Sequence, residues 1–252
     1  MRENQELDRQ QEANRPAPIL KTVEELRRAW KPYKEKLSDT GFERDTAIRV
    51  HRAFSWLEQI EQRKTTDDHR LILLWISFNT LYGTWDPKEQ APVSDSTSWN
   101  KFLKKILKLD QDQLLSEVLT QHRRLVMALL QDEYLSRYFW QDPTPKRAGQ
   151  SRKAMHEAKT WYLQKKWGMI LNRVMERIYL ARCQLVRGAS TYGSQLNRDA
   201  LRRCTKMLAQ LQPGFLSILI THGAHENWGL MCYPPLNQEP KPSSENSQPL
   251  EE

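Results

Sequence analysis

The candidate chemistry of this chain is concentrated in the stretch Arg182-Cys-Gln-Leu-Val-Arg187-Gly188. A guanidinium group is permanently charged and can bind phosphate through two parallel hydrogen bonds, so Arg182 and Arg187 are candidate phosphate ligands. An ordinary helix end explains Arg187 as well, because a cation in the last turn favours the negative end of the helix dipole. On a continuous helix the two arginines would lie about 140° apart around the axis. For both arginines to bind the same phosphate, the helix must end near Gly188, or a second copy of the site must lie across a two-fold axis.

Positive charge is concentrated around this stretch. The chain has 39 Lys and Arg residues against 31 Asp and Glu residues, a net charge of +8. Residues 146–187 alone contain eleven basic residues and two acidic ones, so this segment is the electrostatic centre of the molecule. Such a concentration favours a polyanionic partner, since neutralised phosphates release counterions. A solvated helix face is the alternative interpretation.

Four segments of the sequence resemble the HEPN superfamily, and specifically its bacterial Apea-like, ribonuclease-toxin-like branch. They are "HRAFSWLEQIEQ" (51–62), "LILLWISFNTLYG" (71–83), "VMERIYLARCQLVRGASTYGSQLNRDALR" (174–202) and "NWGLMCYPP" (227–235). The resemblance spans residues 44–236. It implies a compact α-helical bundle, a homodimer, and an R-x4–6-H motif from each subunit lining a basic cleft. In active members of toxin–antitoxin or phage-defence type that motif cleaves RNA without a metal, and an antitoxin or regulatory protein is a possible partner.

The heptapeptide departs from the usual form of this branch, R-N-Q-L-V-H-G, at two positions. Arg182 matches the motif arginine, but Cys183 replaces a polar residue and Arg187 replaces the histidine. Histidine can act as acid or base near neutral pH, whereas arginine cannot be deprotonated in a protein. The sequence therefore predicts an RNA- or nucleotide-binding domain that is catalytically silent or impaired. The alternatives are an active endoribonuclease with altered chemistry, for which His51 or His156 would have to approach the cleft, and a basic scaffold that binds an acidic protein.

Further RNA-binding candidates lie in or near the motif. Cys183 and Gln184 belong to it, and Tyr192 beside it is a candidate for stacking on a base. Arg198 and Arg202 could extend a phosphate track, or could be solvated surface residues. Asn79 is an amide within an apolar helix, where it either faces the cleft or is a buried, hydrogen-bonded side chain.

The pattern of apolar residues predicts an all-α fold that must position these side chains. The chain has only nine glycines, and it has no extended run in which apolar and polar residues alternate. Strands therefore have little support. Residues 21–236 are expected to form a single helical domain, between a flexible leader at 1–20 and a disordered acidic tail at 237–252. The predicted helices cover about 22–37, 44–63, 67–82, 96–109, 111–138, 154–187 and 195–222, with loops at 84–98 and 141–153.

Cysteine usage and hydropathy limit the remaining possibilities. The three cysteines form no CxxC pair, so neither a zinc site nor a disulfide framework is expected, and a reducing cytoplasm fits best. The longest apolar stretch, "LILLWISF" at 71–78, is too short to span a membrane. We expect no cofactor and no membrane partner.

Overall fold

The computed structural model describes residues 20, 22–189, 191–195 and 197–235. As predicted, the fold is an all-α bundle. In chain order the described residues form α1 (Val23–Lys34), α2 (Gly41–Gln62), α3 (Asp67–Tyr82), a hairpin of β1 (Trp85–Asp86) and β2 (Ala91–Pro92), α4 (Asp95–Leu109), α5 (Leu114–Gln121), α6 (Arg123–Gln131), a 3₁₀ turn (Glu133–Leu135), α7 (Arg137–Gln141), α8 (Pro145–Leu163), α9 (Trp167–Val186) and α10 (Arg198–His222). The predicted acidic tail lies outside the described residues, and so does the predicted leader except for Leu20.

Helix α3 forms the centre of the bundle because its apolar residues surround its axis. It packs between α2 and α10. The rings of Phe78 and Phe215 stack with their centres 5.2 Å apart, and the Gln212 amide donates a hydrogen bond of 2.9 Å to the Ser77 hydroxyl. These contacts hold the long C-terminal helix alongside α3.

A cluster of aromatic rings fixes the helix that carries the motif. The Trp75 ring of α3 lies edge-on to Trp99 of α4, with centres 5.8 Å apart, and Trp99 lies 4.8 Å from Tyr179 of α9. Trp75 and Trp99 are both 2% exposed. Aromatic pairs of this geometry contribute about 0.5–1.5 kcal/mol beyond the area they bury. The cluster therefore sets the position of α9 against α3 and α4.

The prediction of a loop at 141–153 is wrong, because most of this segment belongs to helix α8. Pro145 is the first residue of that helix, and the Thr144 hydroxyl accepts a hydrogen bond of 3.4 Å from the backbone N–H of Arg147. Threonine followed by proline is a favourable helix start, since proline lacks an N–H group that would have no partner in the first turn. The residue types that suggested a loop are thus the start signal of a helix.

The prediction of one continuous helix at 154–187 is also wrong, since α8 and α9 are separate helices. Lys165 adopts φ +52°, and its N–H donates to the carbonyl of Tyr162, while the N–H of Lys166 donates to that of Trp161. This pair of bonds is a Schellman motif, which normally uses glycine at the left-handed position. Lysine stands there instead, so the sequence carried no visible stop signal.

The helix predicted at 111–138 is broken into shorter elements, and the break at Asp132 has a clear cause. The Asp132 carboxylate accepts a hydrogen bond of 3.1 Å from the N–H of Tyr134 and so starts the 3₁₀ turn. Pro213, by contrast, does not interrupt the last helix, which runs unbroken from Arg198 to His222.

Candidate functional site

Arg182 is a half-buried cation in neutral surroundings. Its guanidinium carbon lies 6.0 Å from the ring centre of Tyr179, and its Nη1 lies 4.0 Å from the Cys183 Sγ. Among the described residues, no carboxylate lies within 4.0 Å of it, unlike several arginines of the bundle. The charge of Arg182 is therefore available to an anion that approaches beside Tyr179.

Arg187 lies at the end of α9, where its backbone closes the helix. It is exposed and forms the C-cap, with its backbone N–H donating to the carbonyl of Cys183 at 3.0 Å. Gly188 follows with φ +66°, and the N–H groups of Gly188 and Ala189 bond to Leu185 and Gln184 in a second Schellman motif. The predicted stop at Gly188 is confirmed. Since the helix continues to Val186, Arg182 and Arg187 do not share a face within one chain.

The other residues of the motif have structural contacts. Cys183 is buried, with 6% of its surface exposed. The Gln184 amide donates a hydrogen bond of 2.8 Å to the carbonyl of Tyr134, which fastens α9 to the 3₁₀ turn. Asn79 is exposed near the end of α3, beside Gly83, so it is not the buried amide that was one of the two alternatives.

The remaining predicted residues gather at the opposite end of α3. Arg198 forms an ion pair with Asp68, with Nη1 2.5 Å from the carboxylate, and Arg202 pairs with Asp67 and Asp199. The hydroxyl of Tyr192 lies 3.4 Å from that of Thr66, yet the Tyr192 side chain is 66% exposed.

Distance along α3 separates these residues from Asn79. Asp68 and Asn79 are eleven positions apart, which is about 16 Å of helix. The Arg198 side chain is only 16% exposed and its charge is balanced by Asp68. The predicted site is thus divided into two groups, and Arg198 contributes little positive potential to the surface.

A cleft that sequence reasoning missed lies between α4, α7, α8 and α9. Its volume is about 490 Å³. We call it the basic cleft, because its walls carry five cationic and two anionic side chains: Arg137, Arg147, Lys153, Arg173 and Arg177 against Glu157 and Glu176. No histidine is among the described residues that line it.

Tyr179 connects the basic cleft to the motif. Its side chain lines the cleft, and Arg182 lies over its ring. Burial, together with a hydrogen bond to Cys183, raises the pKa of the Tyr179 phenol, so this ring stays neutral. Arg182 therefore lies next to a residue of the cleft wall, and on a different face of α9 from Arg187.

Two cations of the cleft are available to an anion. Lys153 is exposed and has no ion pair among the described residues. Arg137 donates a hydrogen bond of 3.0 Å to the Tyr138 hydroxyl and forms no ion pair with a carboxylate among the described residues. Arg147 is more weakly engaged, 3.8 Å from Asp142.

The other two cations are committed to the protein. Arg173 pairs with Glu176 at 2.7 Å. Arg177 is 5% exposed and donates to the carbonyl of Leu130 at 3.1 Å, and burial lowers its pKa to about 10. Arg177 therefore forms the floor of the cleft rather than a mobile phosphate ligand.

A second cleft of about 510 Å³ adjoins the basic cleft and extends it along α9. The two share Asn100, Arg173 and Glu176, and the second adds Lys104 and Lys166. From Gly168 to Leu180 the residues that line the clefts cover about 18 Å of helix. The two clefts therefore share a wall and follow one another along α9, and both are lined by cations.

The basic segment 146–187 is the signal that could have located the basic cleft. Four of its eleven cations line the basic cleft, and Lys166 lines the second cleft. Arg137 and Tyr138 come from the end of the helix predicted at 111–138. The helices α7 and α8 meet α9 at this cleft only because the chain breaks at Asp132 and a new helix starts at Pro145. Neither feature was predicted from the sequence.

Within the described part of the chain, no three His, Cys, Asp or Glu side chains converge as metal ligands would. None of the helices described is both long enough and apolar enough to cross a lipid bilayer. No family model matches the chain, and no curated protein or solved structure matches it either.

Proposed function

We propose that this chain is an RNA-binding α-helical domain, similar to the HEPN superfamily, that holds RNA without cleaving it. The observation that carries the proposal is the basic cleft with its extension along α9. Lys153 and Arg137 line this cleft and form no ion pair with a carboxylate among the described residues, and Arg182 lies beside Tyr179 of its wall. A groove of this kind, lined also by aromatic rings, suits the backbone and bases of a polynucleotide.

The residues at the motif support binding more than catalysis. RNA cleavage by its own 2′-hydroxyl needs a base to remove the proton and an acid to protonate the leaving oxygen. Arg187 can do neither. His156, which is exposed on α8, is not among the residues that line either cleft. Arg182 and Tyr179 can still hold and contact a phosphate.

The resemblance also predicts a homodimer. Because Arg182 and Arg187 lie on different faces of α9, only a second subunit could bring one arginine of each kind to the same phosphate. Homodimerisation, an antitoxin partner and a phage-defence role remain predictions of the resemblance.

An RNA cleavage assay in EDTA tests the proposal. Purified wild-type protein, Arg187→His and Arg182→Ala are incubated with mixed RNA, and the products are resolved on a denaturing gel. We expect intact RNA with the wild type. Cleavage by Arg187→His alone would support descent from a nuclease whose proton-transferring residue was replaced.

Two results would contradict the proposal. Cleavage by the wild-type protein that disappears in Arg182→Ala would show an active endoribonuclease. Failure to bind RNA even at low salt, where electrostatic affinity is greatest, would favour an acidic protein as the partner instead.

A further inference from the structure

We propose that the basic cleft is a base-recognition pocket, in which one nucleotide of the bound RNA stacks on Tyr138 and is read by the Gln150 amide. This inference rests on the proposed function and adds a determinant of RNA specificity outside the heptapeptide motif. The volume of about 490 Å³ suits a single nucleotide, because ligand pockets span roughly 300–1,000 Å³.

Tyr138 provides the stacking surface. Its side chain is 37% exposed in a wall of the cleft, in contrast to the buried rings of Trp75 and Trp99. The Arg137 guanidinium lies 4.9 Å from the ring centre and its Nη2 bonds the phenol oxygen, so the ring is held in place before a ligand arrives. A base can stack on the face that Arg137 leaves open.

Gln150 provides the hydrogen-bonding groups. It is exposed on α8, lines the cleft, and forms no hydrogen bond among the described residues. A glutamine amide presents a donor and an acceptor side by side, the arrangement that pairs with the edge of a base. Asn100 on the opposite wall is already engaged, since it donates to the carbonyl of Ser96 and accepts from Asn172. Gln150 is therefore the amide in this cleft that is free to select a base.

Cations flank Gln150 on the same face of α8. Arg147 lies three residues before it and Lys153 three residues after it, so all three side chains project to one side of the helix. Each of the three lines the cleft. A nucleotide whose base contacts Gln150 would thus have its neighbouring phosphates within reach of a cation on either side.

The test measures binding of fluorescein-labelled RNA oligonucleotides that differ at one central base, using fluorescence anisotropy in EDTA. We expect wild-type protein to prefer one base by about tenfold, the size of one good amide-to-base contact. Gln150→Ala should reduce that preference to within about twofold while salt-dependent binding remains, because the phosphate contacts are intact. Gln210→Ala, an exposed glutamine on α10 outside both clefts, should leave the preference unchanged.

Tyr138→Leu separates stacking from base selection. It should weaken binding of every oligonucleotide by about fivefold or more, since stacking on an aromatic ring tolerates all bases. Equal affinity of the wild type for all four oligonucleotides, or a preference that survives Gln150→Ala, would overturn the base pocket while leaving RNA binding intact. If the wild type binds none of them, both the pocket and the proposed function fail.

Discussion

At the scale of single residues, the arginines of this chain have distinct roles that their positions in the sequence do not reveal. Arg49 on α2 is 1% exposed, and its guanidinium donates to the carbonyls of Thr80, Gly83 and Gly229 at 3.2, 2.7 and 3.1 Å. It thereby caps the free carbonyls at the end of α3 and fastens the segment after α10. Burial lowers its pKa to about 10. Arg49 supports the fold, whereas Arg182 is a proposed anion ligand.

Replacing Arg49 by methionine is expected to destabilise the protein by about 3 kcal/mol, because several buried carbonyls lose their partner. Urea unfolding followed by circular dichroism measures the change. The matched control is Arg52→Met, one turn away on α2, which removes hydrogen bonds to Cys232 and Tyr233 at a half-buried position. Arg52→Met should lower the free energy of unfolding by about 1 kcal/mol or less. If the free energy of unfolding fell equally in the two variants, the larger structural role assigned to Arg49 would be contradicted.

Single residues could be predicted where the local chemistry is decisive. Gly188 ends its helix as predicted, since a left-handed residue there favours glycine. The role of Arg198 could not be predicted, because its ion pair with Asp68 joins residues 130 positions apart. Gln150 and Tyr138 were missed for the same reason: their cleft exists only after α7 and α8 pack against α9.

At the scale of helices and turns, the ends of α8 and α9 are two versions of one motif. Both close with a Schellman pair of hydrogen bonds, around Lys165 in the first case and Gly188 in the second. A left-handed residue with a side chain costs about 1–2 kcal/mol, so the end of α8 is strained relative to that of α9. The sequence predicted the second end and missed the first, because only glycine is a recognisable signal.

Reciprocal substitutions test this difference. Lys165→Gly should stabilise the protein by about 1 kcal/mol, and Gly188→Ala should destabilise it by a similar amount. A Cβ atom at Gly188 would meet no atom within 4 Å, so the expected loss comes from the backbone conformation alone. Thermal unfolding with calorimetry gives both values. Changes of the same sign in the two variants would contradict the assigned helix ends.

At the scale of the whole molecule, the pattern of apolar residues predicts the fold class, whereas the pattern of charges indicates only which segment of the chain is basic. An apolar stripe determines which face of a helix is buried, so the all-α bundle could be predicted from the sequence. Charged side chains are solvated or paired according to contacts that exist only in the folded chain, such as the hydrogen bond from Arg177 to the carbonyl of Leu130. The excess of cations at 146–187 therefore predicted a basic surface but not the cleft between α8 and α9.

The measurement that tests the central claim most directly is the salt dependence of RNA affinity. For a single strand, the logarithm of the association constant falls with the logarithm of salt concentration by about 0.7 for each neutralised phosphate. The double variant Arg137→Ala/Lys153→Ala should reduce this slope by roughly 1.4 and weaken binding at every salt concentration. The control Arg28→Ala/Lys34→Ala removes the same charge from exposed positions on α1 and should leave the slope unchanged. Equal slopes for the two double variants, or an unaltered affinity when the cleft cations are removed, would contradict RNA binding in the basic cleft.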